Sequence, residues 1–339
     1  MAIALRSDGL VVEHNPTLEF VDAVLRGVGQ VMFQNNTYTG VLFLVGIFVN
    51  SVVFGLAALL GTAVSTATAL LLGVDRALVR AGLFGFNGTL TGIALVFFLQ
   101  PDPLAWVYLV VAAACSTVVM AALLNVLGKW EAPALTAPFV FTTWFFLLAS
   151  YQFGGLRGSP LLPAASLPRG VVELGVPTGL TFVEGFFKGV AEVFFQDNVL
   201  TGAIFLVALL VSSRISCVAA IVGSLIGLLV ALALGAAEAP LRLGLYGFNP
   251  VLTAIALGGF FFVLDWRSTL YAIFGCIVTT VVFAAMVVAL APMGIPTLTG
   301  PFVFTTWLFI LAKPLLARLR PVAPAEATTP EGNLAAARR

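Results

Sequence analysis

The stretch "PALTAPFVFTTW" occupies Pro133–Trp144, and "PTLTGPFVFTTW" occupies Pro296–Trp307. The two stretches agree at ten of twelve positions and lie 163 residues apart. Each opens an apolar run and carries a proline where a helix tolerates one, in the first turn. A stretch this specific, repeated at this separation, indicates that the chain is built from a duplicated unit.

Two further pairs of segments support the duplication. "RGVGQVMFQNNTYTGVLFLV" at Arg26–Val45 matches "KGVAEVFFQDNVLTGAIFLV" at Lys188–Val207 with eleven identities in twenty. "GLFGFNGTLTGIAL" at Gly82–Leu95 matches "GLYGFNPVLTAIAL" at Gly244–Leu257 with ten in fourteen. Both pairs are offset by 162 residues. Three blocks in one order at a nearly constant offset predict two homologous halves.

The composition is that of a protein embedded in a membrane. Of 339 residues, 60% are hydrophobic and 9% are charged, and the mean hydropathy is +1.10. A soluble domain carries roughly 25% charged residues. The apolar stretches Thr39–Leu72, Leu104–Leu127 and Ile215–Leu234 exceed or match the roughly 20 helical residues that cross a hydrocarbon core. We therefore predict an all-α polytopic membrane protein, with no cleaved signal peptide.

Each half is predicted to hold about five transmembrane helices plus one re-entrant pore helix. The re-entrant segments are 18–34 and 180–196, which are short, amphipathic and interrupted by polar residues. Tight joins are expected between spans 39–55 and 57–73 and between spans 201–217 and 218–235. The predicted domains are an N-terminal cytoplasmic tail (1–17), a first half (18–153), a linker (154–179), a second half (180–313) and a C-terminal cytoplasmic tail (314–339), of which Pro321–Arg339 is expected to be disordered.

An odd number of spans per half predicts that the second half enters the membrane upside down. The positive-inside rule agrees when both termini are cytoplasmic. The inner ends then collect twelve cations, Arg6, Arg26, Arg76, Arg80, Lys129, Arg214, Arg267, Lys313, Arg318, Arg320, Arg338 and Arg339, and the outer ends collect four, Arg157, Arg169, Lys188 and Arg242. Inverted repeats of this kind hold their substrate near the bilayer midplane.

Polar residues in the two interrupted segments are candidates for substrate binding. Gln30 and Phe33 lie three apart, as do Glu192 and Phe195, so each pair is expected to share a helical face. A carboxylate at the centre of a membrane helix costs roughly 2.5–3.5 kcal/mol and tends to face a cavity. Alternatively, Glu192 is solvated near the interface or paired with Lys188, and Gln30 makes a helix–helix hydrogen bond.

Matched apolar residues stand beside these polar candidates. Phe86 and Leu90 lie one turn apart in the third span, and Phe248 and Leu252 repeat them. A single phenylalanine among 29 is more simply a core or lipid-facing residue. Because four phenylalanines occupy matched places in both halves, we consider them together as a candidate set.

Two threonines precede the proline of the repeated twelve-residue stretch. Thr136 lies two residues before Pro138, and Thr299 lies two before Pro301. This pattern is typical of a helix N-cap. A fifth helix that starts at membrane depth would also place this hydroxyl and the free N–H groups of the helix toward the pseudo-twofold axis, and both interpretations can hold together.

Several function classes lack their residues. The single histidine, His14, lies in the N-terminal tail, which excludes pores lined by histidines. "NPV" at Asn249–Val251 is a lone variant of the paired motif of water channels, and no Walker lysine motif is present. The three cysteines sit in apolar helices without metal-ligand spacing and are expected in the core. We expect no catalysis, no metal, no cofactor and no nucleic-acid partner.

The repeated stretches resemble the signature of the urea transporter family, Leu-Pro-x-x-Thr-x-Pro-Phe, which that family carries twice. Here the copies read Ala132-Pro-Ala-Leu-Thr-Ala-Pro-Phe139 and Ile295-Pro-Thr-Leu-Thr-Gly-Pro-Phe302, and both depart at the leading leucine. The resemblance covers about 290 residues. The short chain and simple termini are similar to those of a bacterial member.

The resemblance implies a homotrimer in which each protomer conducts urea passively through a narrow filter. It implies slots between phenyl rings, acceptors along their edge and hydroxyls in the middle. By this resemblance the substrate-binding residues are Phe33, Phe86, Phe195 and Phe248 as rings, Leu90, Leu252 and Val193 beside them, Gln30 and Glu192 as acceptors, and Thr136 and Thr299 as hydroxyls.

The expected function is therefore a passive urea channel of the cell inner (plasma) membrane, with urea and the lipid bilayer as partners. Urea is planar and neutral, so flat rings with acceptors at their rim suit it better than charged walls. A channel for another small neutral solute, such as a short amide, is one alternative. A second is an ion-coupled secondary transporter in which Glu192 is the coupling group.

Overall fold

The computed structural model describes residues 4–6, 8–11, 15–168, 172 and 174–339. His14 and Arg169, which the sequence predictions used, lie outside these residues. The chain is predominantly helical and divides into two compact units. Unit 1 comprises Met1–Val126 and Ala134–Leu162, and unit 2 comprises Leu127–Pro133 and Pro163–Arg339.

In the described part of unit 1, a small antiparallel hairpin is followed by seven α-helices. Its elements are β1 (Ala4–Arg6), β2 (Gly9–Val11), α1 (Pro16–Gln30), α2 (Thr37–Asn50), α3 (Val52–Leu71), α4 (Arg76–Arg80), α5 (Phe86–Phe98), α6 (Pro103–Leu127) and α7 (Ala137–Ser150).

The described part of unit 2 holds eight α-helices in a similar order, with one addition at the C-terminus. They are α8 (Gly179–Ala191), α9 (Val199–Ser212), α10 (Arg214–Ala233), α11 (Glu238–Arg242), α12 (Phe248–Ile255), α13 (Trp266–Leu290), α14 (Gly300–Leu311) and α15 (Pro330–Ala336). The segment after α6 also belongs to this unit, where Trp307 Nε1 donates to the Pro133 carbonyl oxygen at 2.8 Å.

Four helical segments of the described chain are long and apolar enough to span a membrane, namely Val52–Leu71, Pro103–Trp130, Arg214–Ala233 and Trp266–Met293. A fifth candidate is the pair Gly179–Phe194 and Val199–Ser212, which is bent by 70°. The remaining apolar helices have 10–17 residues, which at about 1.5 Å per residue is shorter than a bilayer core. The count of five spans per half stays a prediction.

The joins within each unit lie earlier than the sequence predicted. We placed them near residues 56 and 217, whereas α2 gives way to α3 at Ser51 and α9 to α10 at Ser213. Both serines are extended and cap the next helix, with Ser51 Oγ accepting from the Phe54 N–H and Ser213 Oγ accepting from the Ser216 N–H. Such a break between two helices is not recognisable in an apolar run, because a single serine is enough to end one helix and cap the next.

Glycines allow close packing between the helices of each unit. A Cβ at Gly61 of α3 would lie 2.2 Å from the Gly88 carbonyl oxygen of α5, closer than real Cβ atoms approach. In unit 2, a Cβ at Gly223 of α10 would lie 2.5 Å from the Pro250 carbonyl oxygen of α12. Small residues are the usual means of such close contact in membrane helices. These contacts hold α5 and α12 in the middle of their units.

The prediction of a disordered C-terminal end is wrong. Residues Pro330–Ala336 form α15, and Asn333 is 4% exposed. The Asn333 amide donates to the carbonyl oxygens of Gly259 and Phe260, at 3.0 and 2.8 Å. Glu331 accepts from Ser213 Oγ and from the Ile215 N–H. Polar residues of this end therefore bond to backbone groups and to one serine hydroxyl of unit 2.

Candidate functional site

The first candidate segment ends in a tight turn with a phenylalanine at its critical position. At the end of α1, the Phe33 N–H donates to the Gln30 carbonyl and the Gln34 N–H donates to the Gly29 carbonyl, at 3.0 Å each. This bond pattern is a Schellman motif, which places one residue in the left-handed region and favours glycine there. Here that residue is Phe33, with φ of +64°.

Unit 2 repeats this turn bond for bond. The Phe195 N–H donates to the Glu192 carbonyl and the Gln196 N–H donates to the Ala191 carbonyl, and Phe195 has φ of +61°. A left-handed conformation costs a non-glycine residue roughly 1–2 kcal/mol. Strain of this kind in bulky residues is concentrated at functional sites. Its presence at both matched positions singles out these two rings.

These turns correct the prediction of a shared helical face. Gln30 is the last residue of α1, and Glu192 follows the end of α8. Phe33 and Phe195 lie beyond the helices in the left-handed region. The three-residue spacing therefore reflects the turn and not a helical repeat.

Gln30 is held by one hydrogen bond that determines what it offers. Its amide Nε2 donates to the Ala81 carbonyl oxygen, after α4, at 2.8 Å. The amide nitrogen is thereby used within unit 1, which leaves Oε1 as the acceptor. The structural hydrogen bond that we considered as an alternative is therefore present, and the acceptor role of Gln30 stays a prediction.

Glu192 differs from its counterpart. Lys188, four residues earlier, pairs with Glu184 at 2.9 Å and with Asp197 at 2.6 Å. The ion pairs of Lys188 in the described residues are therefore with these two carboxylates and not with Glu192. Among the described residues the Glu192 carboxylate makes no ion pair, and the side chain is half-buried. The next residue, Val193, is 1% exposed.

The lysine belongs to a network of charges on unit 2. Glu184 also accepts from Arg242 Nε and Nη2, at 3.0 and 3.1 Å. These bonds to the Glu184 carboxylate raise the pKa of the Arg242 guanidinium. Together Lys188, Glu184, Asp197 and Arg242 connect α8, α11 and the turn after Phe195.

The second pair of candidate rings begins the central helices. Phe86 and Phe248 are the first residues of α5 and α12, with 6% and 9% of their surface exposed. Leu90 and Leu252 follow one turn later and are fully buried. Phe248 packs edge-to-face on Phe283 of α13, with ring centroids 6.0 Å apart.

Glycine contacts bring the candidate elements of each unit together. A Cβ at Gly27 would lie 3.1 Å from the Gly85 Cα, and a Cβ at Gly189 would lie 3.2 Å from the Gly247 Cα. Gly85 and Gly247 directly precede Phe86 and Phe248. Gly27 lies three residues before Gln30, and Gly189 lies three residues before Glu192. The helix that ends at the candidate acceptor, α1 or α8, therefore contacts the start of α5 or α12 in its own unit. We call α5 and α12 the ring-bearing helices, because they begin with Phe86 and Phe248.

The two threonines lie directly before α7 and α14, and each is 3% exposed. Neither side chain makes the cap hydrogen bond that the sequence allowed. Instead, Asn87 Oδ1 of α5 accepts from the Phe139 N–H at 3.1 Å, and Asn249 Oδ1 of α12 accepts from the Phe302 N–H at 3.0 Å.

Sequence reasoning missed the residues that hold the turns. Gln34 and Gln196 are buried and donate to backbone carbonyls two residues earlier. Arg26 Nη1 donates to the carbonyl oxygen and Oδ1 of Asn35, as Lys188 pairs with Asp197 in unit 2. The repeated letters "FQN" and "FQD" were the available signal, but composition alone gave them no role.

Comparisons with known proteins show the family of this chain. The model of the urea transporter family matches residues 21–314. Urea transporter 1 of sheep (Ovis aries) is 37% identical over 320 residues, covering 93% of this chain and 83% of the sheep protein. Urea transporter 1 of mouse (Mus musculus) is 38% identical over 298 residues, covering 87% and 77%. The chain therefore belongs to the urea transporter family, whose members are membrane transport proteins and not enzymes.

Proposed function

We propose that this protein conducts urea passively, with one set of rings and acceptors in each unit. Phe33 and Phe86 supply the rings of unit 1, and Phe195 and Phe248 supply those of unit 2. Membership of the family supports urea as the substrate. The repeated turn geometry supports a matched role for the two sets.

The chemistry of urea fits these side chains. A slot between flat phenyl rings fits a thin planar molecule. The rings do not compensate a hydrated ion for the loss of its water shell. Gln30 Oε1 and Glu192 can accept the N–H groups at the rim, and the hydroxyls of Thr136 and Thr299 can both donate and accept. Modest binding at each set lets urea leave as readily as it enters.

The observation that carries the proposal is the left-handed backbone of Phe33 and Phe195, at φ of +64° and +61°. Glycine would form the same turn without strain. A phenylalanine in both turns indicates that the ring itself is needed, since the backbone alone disfavours it.

Shrink–swell measurements on proteoliposomes test the proposal. We expect rapid urea entry without any ion gradient, and slower entry of formamide, thiourea and glycerol. The Phe33→Leu and Phe195→Leu variants should lose most of the flux, because a leucine keeps apolar bulk but not a flat face. Phe145→Leu is the matched control, since that ring is 66% exposed on α7. Urea entry no faster than through protein-free liposomes would contradict the proposal, and preferred entry of formamide would favour a short-amide channel.

A second candidate function, ion-coupled transport, is favoured by one observation, the Glu192 carboxylate without an ion-pair partner among the described residues. Collapsing a proton or sodium gradient decides between the two. Coupled uptake would stop on collapse and would be lost in Glu192→Gln. Passive flux would continue in both cases.

The finer aspects of the assembly are also proposals. We infer a homotrimer in the cell inner (plasma) membrane with both termini cytoplasmic, as the family resemblance and the distribution of cations favour. Crosslinking in membranes and accessibility of cysteines placed near each terminus would test them. The bacterial origin suggested by the short chain stays a prediction, because the relatives compared above are mammalian.

A further inference from the structure

We propose that Asn87 and Asn249 are positioning residues for urea. Asn87 of α5 caps α7, and Asn249 of α12 caps α14. We call α7 and α14 the threonine-led helices, because Thr136 and Thr299 directly precede them. This inference rests on the proposed function, since it concerns how the rings and hydroxyls are held relative to each other.

The backbone bonds at the start of α7 show what Asn87 supplies. The first N–H groups of a helix have no partner within it. The Ala137 N–H donates to the Ala134 carbonyl and the Val140 N–H donates to the Thr136 carbonyl, at 3.2 and 3.0 Å. Pro138 has no N–H. The Phe139 N–H remains, and it donates to Asn87 Oδ1 at 3.1 Å.

The start of α14 repeats this arrangement. The Gly300 N–H donates to the Thr297 carbonyl and the Val303 N–H donates to the Thr299 carbonyl, at 3.1 and 3.0 Å. Pro301 has no N–H, and the Phe302 N–H donates to Asn249 Oδ1 at 3.0 Å. In both units, therefore, the asparagine supplies the one partner that the local chain does not.

The borrowed cap changes what the threonine does. A threonine at this place would ordinarily accept from the N–H two or three residues on. Neither threonine side chain makes that cap bond here, and the asparagine of the neighbouring helix supplies the cap instead.

The same asparagine links the threonine to a ring. Asn87 directly follows Phe86 on α5, and Asn249 directly follows Phe248 on α12. Both asparagines are buried, at 1% and 0% exposed. A single short bond thus fixes the first turn of the threonine-led helix against the first turn of the ring-bearing helix.

Asn249 holds the segment around Thr299 from both sides. Its Nδ2 donates to the Leu298 carbonyl oxygen at 3.3 Å, directly before the threonine, while its Oδ1 accepts from Phe302 three residues after it. Leu298 has φ of +53°. In unit 1 the Asn87 amide instead contacts Met120 Sδ at 3.6 Å, a weaker partner.

The experiment compares Asn87→Ala, Asn87→Asp and Thr89→Val in proteoliposomes. Alanine removes the acceptor, whereas aspartate keeps an oxygen in its place. Thr89→Val is the matched control, because Thr89 is buried on the same helix and its hydroxyl contacts Thr62 Oγ1 at 2.6 Å rather than α7. Urea flux, the urea-to-thiourea flux ratio and hydrogen exchange across the first turn of α7 are measured for each variant.

We expect Asn87→Ala to reduce urea flux about tenfold, to change the flux ratio and to speed exchange in the first turn of α7, since a buried N–H loses its partner. Asn87→Asp should recover flux to within about threefold of wild type, because its oxygen still accepts. Thr89→Val should keep the wild-type flux ratio. If Asn87→Ala does not reach the membrane, Asn87→Ser, whose hydroxyl is too short to reach, and Asn249→Ala are measured in the same way.

Faster exchange with unchanged flux and flux ratio would overturn the inference and leave the asparagine a structural cap only. An equal loss of flux in Asn87→Ala and Asn87→Asp would overturn it as well. A wild-type protein without urea flux overturns the proposed function and this inference with it. Wild-type urea flux that both alanine variants leave unchanged overturns this inference alone.

Discussion

The ring-bearing helices of the two units end differently. In unit 1, α5 continues without a break to Phe98. In unit 2, α12 ends at Ile255 and passes into a π-helical turn, in which Gly258 and Gly259 leave helical geometry and Gly259 has φ of +143°. At the offset of 162, these two glycines replace Val96 and Phe97.

The broken helix depends on support from a distant segment. Asn333 of α15 bonds to the carbonyl oxygens of Gly259 and Phe260, and a Cβ at Gly259 would lie 2.8 Å from Pro330 Cβ. In unit 1, Ser159 bonds to the carbonyls of Phe97 and Phe98 at the intact end of α5. The two units thus keep the candidate binding residues alike and support them by different means.

The largest effect should come from removing the support of unit 2. Asn333→Ala removes the amide that donates to the carbonyl oxygens of Gly259 and Phe260, and we expect the free energy of unfolding to fall by about 2–3 kcal/mol. Thermal unfolding in detergent gives the size, and hydrogen exchange shows whether α12 opens while α5 does not. Ser159→Ala is the unit 1 control, expected to cost about 1 kcal/mol, because the Ser159 N–H still bonds to Phe98. Equal losses, or exchange that rises in both helices, would mean that α15 does not support α12 in particular.

Exchanging the acceptors of the two units tests their difference next. Gln30→Glu removes the donor that bonds to the Ala81 carbonyl and sets a carboxylate against it, so we expect a loss of about 2 kcal/mol. Glu192→Gln should not destabilise the protein, because the carboxylate has no ion-pair partner among the described residues to lose. Unfolding midpoints and urea flux check both variants. A loss in Glu192→Gln as large as that in Gln30→Glu would show that the carboxylate is bonded and needed.

Most of the helical architecture was predictable because it depends on local pattern. Long apolar runs marked α3, α6, α10 and α13, and the repeated stretches located α7 and α14 at their prolines. The family followed from the same repeated stretches, since their proline, threonine and phenylalanine positions are specific in spacing as well as in type. Periodicity and motif spacing are properties of neighbouring residues, which a sequence displays directly.

What could not be predicted depends on contacts between distant residues. Asn333 and Gly259 lie 74 positions apart, and Asn87 and Phe139 lie 52 apart. The left-handed conformation of Phe33 could not be predicted either, because a Schellman turn is normally recognised in a sequence by a glycine at that position. Ser51 looked like one polar residue in an apolar run, although it ends one helix and caps another.

A smaller effect should separate the strain of the phenylalanine turns from the role of their rings. At residues 33 and 195 we expect the glycine variant to be more stable than the alanine variant by about 1 kcal/mol, because only glycine adopts a positive φ without strain. At Phe145, inside α7, we expect the alanine variant to be the more stable one, again by about 1 kcal/mol, since glycine is the poorer helix former. Chemical denaturation of the six variants measures the differences. Alanine more stable than glycine at residue 33 or 195 would mean that the left-handed turn is not maintained there.

The smallest effect should follow from Asp197→Asn, which gives unit 2 the residue that unit 1 has at Asn35. Asp197 is half exposed, with 52% of its side chain accessible, and such ion pairs contribute little because water and salt screen them. We expect the free energy of unfolding to fall by less than about 1 kcal/mol, and this loss should disappear in high salt. The control, Asn35→Ala in unit 1, should show no salt dependence of its own, since Arg26 also bonds to the Asn35 backbone and to Asp22. Unfolding midpoints at low and high ionic strength check both. A large, salt-independent loss in Asp197→Asn would mean that the Lys188–Asp197 pair holds the Phe195 turn in a way that Arg26 and Asn35 do not hold the turn of unit 1.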